Sequence, residues 1–274
     1  MSRMRCAPIG DGACMVSPSD ATRQVFPLPV GEDAAWIAEA RRLQTVMCDA
    51  VFPIAPSVYI GPDTGMTARE WETASVRLPV VDLPRQRADQ VTTAEMLGRE
   101  DALISHYRRI VELAEKHGKT ASLRPFPYFR TQPAIITRDE MLTAFPWNDD
   151  IQETRTILEM LAGSDDGPPR LLHDDQDQGW HILIAVMDGE TCFIEWDAEG
   201  PPPAVGGYAV DAAAVARQAR AALDRLRIIH DRLVRALGQD YWTDRPSPPR
   251  FPPVKRMRRA LRWLFTTNPG SRLD

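Results

Sequence analysis

Two apolar, β-branched runs, residues 180–186 and 191–196, stand on either side of Asp188-Gly189. That dipeptide most readily takes the two positive φ angles of a type I′ turn, so the stretch 180–196 reads as a β-hairpin. The two-residue loop also sets the register: Val186 faces Thr191, Ile184 faces Phe193, Ile182 faces Glu195 and His181 faces Trp196. One face then carries Trp180, Ile182, Ile184, Val186 and Phe193. The other carries Leu183, Ala185, Met187, Cys192, Ile194 and Trp196. Both faces are apolar, which places the hairpin inside a covered sheet rather than on a surface. Glu195 is the one charge among the aliphatics.

Around this hairpin the rest of the chain reads as α+β. Asp211 is positioned to cap a long helix ending at Gly238, with Val215, Ala219, Leu226, Ile229 and Leu233 on one face and arginines mostly off it. Towards the N-terminus, apolar residues from Trp36 to Val51 recur at helical spacing, predicting a helix from Asp33 that ends before Pro53. Thr67/Glu70, Thr92/Glu95 and Thr137/Glu140 each have the spacing of a capping box and predict three further helices. Of these, the one from Thr92 is the long one and ends at His117-Gly118. Residues 78–83 read as a strand interrupted by prolines, residues 134–136 as a short strand and residues 150–161 as a helix. The expected fold is thus a small, mainly antiparallel sheet built on the central hairpin and packed by a long C-terminal helix and N-terminal helices. The expected organisation is an irregular arm over 1–31, one α+β domain over 32–244 with room for a subdivision near 118–133, and a proline-rich linker with a basic amphipathic tail helix over 245–274.

With 274 residues, 43% of them hydrophobic, the chain can bury a sizeable core. No apolar run approaches the roughly 20 residues of a bilayer span, and the N-terminus has no continuous apolar core of the secretory kind. Four scattered cysteines without a CxxC pair fit reduced thiols, and the expected compartment is the cytoplasm. Charge is strongly polarised. Residues 139–200 hold sixteen Asp and Glu against Arg155 and Arg170 alone, whereas residues 201–274 hold fourteen Lys and Arg against six acids. Such polarity points to two surfaces with different partners, or to two segments that neutralise each other. A pI near 5.6 argues against nucleic acid, even though Arg124, Phe126, Tyr128, Phe129 and Arg130 interleave arginines with aromatics.

No GxSxG, HExxH, P-loop, dinucleotide glycine pattern or kinase set occurs, and no cofactor is expected. The densest chemistry is His173, Asp174, Asp175, Asp177 and His181, with Glu195 brought opposite Ile182 by the hairpin. Carboxylates and imidazoles together can hold a divalent ion that activates water, so in the alternative reading, a metal-dependent hydrolase, His173, Asp174, Asp175 and Asp177 are the catalytic set. Side chains at adjacent and alternate positions of a turn diverge, however, so no tight metal site is expected. The preferred reading is a non-catalytic module whose acidic surface (Asp174, Asp175, Asp177, Glu195, Asp197 and Glu199) engages a basic protein. Toxin neutralisation, as by bacterial immunity proteins, is its most concrete form. A third reading, a peripheral membrane or effector protein, rests on the basic tail, residues 254–265. There Lys255, Arg256, Arg258, Arg259, Arg262 and Trp263 surround an apolar stripe suited to a membrane, an external acidic protein or the chain's own acidic section.

Overall fold

The computed structural model describes residues 37–62, 67–137, 141–143, 145, 150–165, 167–177, 180–197 and 207–243. The expected α+β class is what these residues adopt, with two larger antiparallel-dominated sheets, a two-stranded hairpin and a long C-terminal helix. The N-terminal arm and the basic tail, with the sites assigned to Lys255, Arg256, Arg258, Arg259, Arg262 and Trp263, lie outside the described residues. So does Glu199.

The first sheet runs β1 (Arg41–Arg42), β11 (Tyr208–Asp211), β10 (Glu190–Asp197), β9 (Trp180–Met187), β8 (Arg170–Asp177). Its β9–β10 register is the one the Asp188-Gly189 turn dictates, with Val186 opposite Thr191, Ile182 opposite Glu195 and His181 opposite Trp196. Asp188 and Gly189 have φ of 51° and 80°, the pair of positive values a type I′ turn requires. Alternation then gives the sheet two apolar faces. Ile182, Ile184, Phe193 and Val210 join the main core, while Leu183, Ala185, Cys192, Ile194 and Ala209 form a second cluster closed by Ile37 and Ala40.

The second sheet runs β5 (Gln90–Thr92), β2 (Met47–Pro53), β6 (Gln132–Ile136), β7 (Met141–Thr143), and a separate hairpin pairs β3 (Ser57–Tyr59) with β4 (Ser75–Arg77). Here the helix expected from Asp33 fails. Among the described residues of that stretch only Ile37–Glu39 is helical, and Met47–Pro53 is a central strand. Cys48, Ala50 and Phe52 face the main core while Met47 and Val51 face a smaller cluster, and a strand buried on both sides loses the apolar–polar alternation that would identify it.

The helices are α1 (Ala68–Thr73), α2 (Thr93–Met96), α3 (Glu100–Lys116), α4 (Pro125–Tyr128), α5 (Ile151–Ala162) and α6 (Ala212–Leu237). The Thr92/Glu95 capping box is present, but it caps only the single turn of α2. Gly98, at φ 82°, breaks the chain there, and α3 starts afresh with Leu103, Tyr107, Ile110 and Ala114 in its buried stripe. Thr67 and Glu70 also form their box, but α1 stops at Thr73 and the chain turns into β4. The helix expected after Thr137 is overturned by β7, which pairs with β6. Residues 78–83 form no strand. Asp211 caps α6 as expected, the helix expected over 150–161 is α5 with Asp150 as its cap, and Gly238 ends α6 in the left-handed conformation.

Helix α6 joins the two sheets. Its Val215, Ala219, Ala222, Leu226, Ile229 and Leu233 are buried in the main core against both. Its polar positions are used as well: Gln218 Oε1 accepts from the Cys48 amide at 2.7 Å and Gln218 Nε2 donates to the Val46 carbonyl at 2.9 Å. Both groups lie on the β5 side of β2, beyond the point where β5 runs out, so one side-chain amide stands in for a missing strand. Behind α6, Trp242 packs on Tyr107, Phe129 and His230 with ring centroids 4.9, 5.2 and 6.0 Å away. No helix among the described residues is long and apolar enough to cross a membrane.

Candidate functional site: the acidic sheet edge

The His173–Asp177 cluster, expected to lie on a polar turn before the hairpin, belongs instead to the edge strand β8, RLLHDDQD (170–177). Its composition does not favour a strand. The open hydrogen-bonding edge of β9 imposes one, with Leu171 buried as an anchor. The register shifts between Leu171/Ala185 and His173/Ile184, so Leu172 is an extra residue and Leu172 and His173 turn to the same side, as in a β-bulge.

Past the bulge the alternation distributes the cluster over two faces. His173 and Asp175 lie opposite Ile184 and Ile182 on the main-core side, and Asp174 lies opposite Leu183 on the other. On the main-core side the His173 ring meets Phe145 edge-on at 5.9 Å, and its Nε2 lies 4.0 Å from Asp175 Oδ2. Burial lowers the pKa of His173 and a nearby His181 adds to that, against the opposing pull of Asp175 and Asp174, so the ring is neutral at pH 7. On the other side, His181 Nε2 and Asp174 Oδ1 are 2.6 Å apart. Glu195 and Asp175 are both register partners of Ile182, from opposite sides, two strand spacings or roughly 10 Å apart. Asp177 and Asp197 end β8 and β10, each paired with Trp180 of β9, and their side chains lie outside the described residues.

The structure thus brings Asp174, Asp175, Asp177, Glu195 and Asp197 to one end of one sheet, but it does not converge His173, Asp174 and Asp175 on a point. Among the described residues, no three His, Cys, Asp or Glu side chains gather in a way that could hold a metal ion. Both cysteines among the described residues are buried. Cys192 faces Ala185 in the second cluster, where burial, then Glu190, push its thiol up to about 11; burial, then Asp49, raise that of Cys48 as well.

Other polar groups give no local sequence signal. Buried His230 accepts from Arg155 Nη2 at Nδ1 (3.3 Å), which leaves Nε2–H to donate to Asp240 Oδ1 at 3.1 Å. Asp240 Oδ1 also accepts the Trp242 and Thr243 amides, so this dyad fixes the turn after α6. Arginines of α6 meet the chain's own carboxylates: Arg220 meets Asp165 at 2.6 Å, Arg225 meets Asp49 at 3.1 Å, and Arg232 meets Glu100 at 2.5 Å and Asp101 at 2.9 Å. Comparison with protein-family models, with curated proteins and with solved structures finds no match to this chain.

Proposed function

We propose that this chain is a non-catalytic, cytoplasmic protein-binding module whose acidic sheet edge takes a basic protein partner. Neutralisation of a toxin, in the manner of immunity proteins, is the most concrete form of this reading. One observation carries it: three of the six arginines of α6, Arg220, Arg225 and Arg232, are paired with the chain's own Asp165, Asp49, Glu100 and Asp101, whereas Asp174 and Asp175 stand on an edge strand facing imidazoles. An acidic edge attracts a basic partner from a distance and repels a second copy of itself. The hydrolase alternative needs His173, Asp174, Asp175 and Asp177 to act on one reacting centre, and strand alternation parts Asp174 from His173 and Asp175.

The test is co-purification with the products of the reading frames that flank its gene. A one-to-one complex weakened about ten-fold or more in the Asp174→Lys/Asp175→Lys double variant, and weakened by salt, supports the reading. A complex indifferent to the double variant, or metal-dependent turnover of a phosphoester by the purified chain, sinks it.

A further inference from the structure

Strand β4 is followed by a segment, 78–89, that is neither helix nor strand and is held by Leu78, Val81 and Leu83 in the main core. Between those anchors Val80 is 85% exposed, the most exposed of the large apolar side chains among the described residues. The β3–β4 hairpin buries Val58 on its inner side, and the alternate positions Ser57, Ser75 and Arg77 share the outer side, Ser57 directly paired with Arg77. Between this outer side and the 78–89 segment lies a cavity of about 760 Å³, within the usual size of small-molecule sites.

The chemistry of its walls is uneven. Ile54, Pro56 and Val80 supply apolar surface, Ser57 and Ser75 supply hydroxyls, and the charged residues are Arg77 and Arg85; among the described residues, no Asp or Glu lines it. Arg77 is exposed and, among the described residues, has no carboxylate partner. Arg85 donates Nη1 to the Val81 carbonyl at 2.7 Å, which ties its guanidinium to the wall. In a chain of net charge −5, two guanidinia on one concave surface without a lining carboxylate are a local exception. Guanidinium groups and hydroxyls are the usual donors to an oxyanion, and apolar walls reward a hydrocarbon body.

A second cavity, about 240 Å³, opens on the far side of Val80. Among its lining residues is His106, 6% exposed, whose Nε2 is buried without a hydrogen-bond partner. The 78–89 segment thus has an apolar crest with a hollow on either side.

We propose that the groove between β3–β4 and residues 78–89 binds a small amphipathic anion, an oxyanion head on an apolar body, with Arg77 and Arg85 holding the head and Val80 covering the body. This site is separate from the acidic edge, and its failure leaves the partner-binding reading untouched. The experiment is calorimetric titration of the full chain with octanoate, with octyl phosphate and with octanol as the neutral control, all below micelle-forming concentrations. Saturable one-to-one binding of either anion, weakened about ten-fold or more for octanol and in Arg77→Ala, supports the site. The tighter of the two anions then identifies the head as carboxylate or phosphate. Because Arg77 and Val80 are both exposed, Arg77→Ala and Val80→Asp leave the core intact, and equal melting temperatures confirm it. Octanol binding as tightly as the anions overturns the proposal. So does the lack of saturation by either anion, or anion binding unchanged in both variants.

Discussion

Arg225 of α6 reaches Asp49 of β2, its Nη2 3.1 Å from a carboxylate with no exposure to solvent. The carboxylate also accepts from the Ala50 amide at 2.8 Å, the Ala94 amide at 3.0 Å and the Thr93 hydroxyl, so the charge is enclosed rather than merely paired. Arg225 Nε in turn donates to that same hydroxyl at 2.9 Å. One ion pair thereby fastens β2, α2 and α6.

Removing the cation strands the anion. Arg225→Leu should cost about 3–5 kcal/mol in urea unfolding, because a buried carboxylate is left without its counter-charge. Burial raises the Asp49 pKa, with Arg225 the largest opposing influence, and without Arg225 it rises further. A folded-state pKa above the unfolded value gives stability that is present at acid pH and lost as pH rises through it. The deficit of the variant should therefore be smaller at pH 5 than at pH 8. An equal deficit at both would show that Asp49 stays ionised.

The hairpin turn isolates a backbone effect. A Cβ at Gly189 meets no atom within 4 Å, yet its φ is +80°. Gly189→Val should therefore destabilise by about 1–2 kcal/mol through conformation alone, and Gly189→Asn by less. A variant with Val that melts within a degree of wild type contradicts the turn type.

His106 links stability to pH. Burial, then the charge of Arg85, bring its pKa down to about 4, while in the unfolded chain it titrates near the ordinary 6.5. Between those values the unfolded state binds the extra proton, so the contribution is present above pH 6.5 and lost as pH falls towards 4. His173 is lowered too and adds background in the same direction. Between pH 7 and 5 the wild type should lose roughly 1–2 kcal/mol more than His106→Gln, read by urea unfolding at each pH. Parallel losses in the two proteins would place the imidazole in contact with water.

Gln218→Ala leaves the Cys48 amide and the Val46 carbonyl without their partner. The expected cost is about 1–3 kcal/mol for each group that stays dry, with hydrogen exchange at the Cys48 amide accelerating beyond that of its neighbours in β2. Unchanged exchange at Cys48 would mean that another group already protects it.

What the sequence makes legible follows how local the determinant is. The β9–β10 register is set by two adjacent residues, and the caps of α2, α5 and α6 by residues three apart or fewer, so each is readable without knowing the fold. Strand β2 is misread because Met47 and Val51 satisfy a helical spacing and, buried on both faces, it shows no alternation to contradict it. Strand β8 and the split between α2 and α3 are tertiary outcomes: the edge of β9 recruits an acidic segment, and Gly98 ends a helix whose apolar stripe resumes beyond it. Within the site, the acidic residues were visible as a run, but the alternation that parts His173 from Asp174 needed the strand. The pairs Asp49–Arg225 and His230–Asp240 join elements that only the fold brings together.

The five-stranded sheet is asymmetric in a way that bears on stoichiometry. It ends on one side in β1, two residues long, and on the other in β8, eight residues long and acidic. Among the described residues, only the β8 side offers an incoming strand a full ladder, and like charge excludes a second β8 from it. On the reading proposed above, a strand added to this edge would come from a basic foreign chain, and like charge would disfavour a second β8 there, so strand addition at this edge would favour a finite pair.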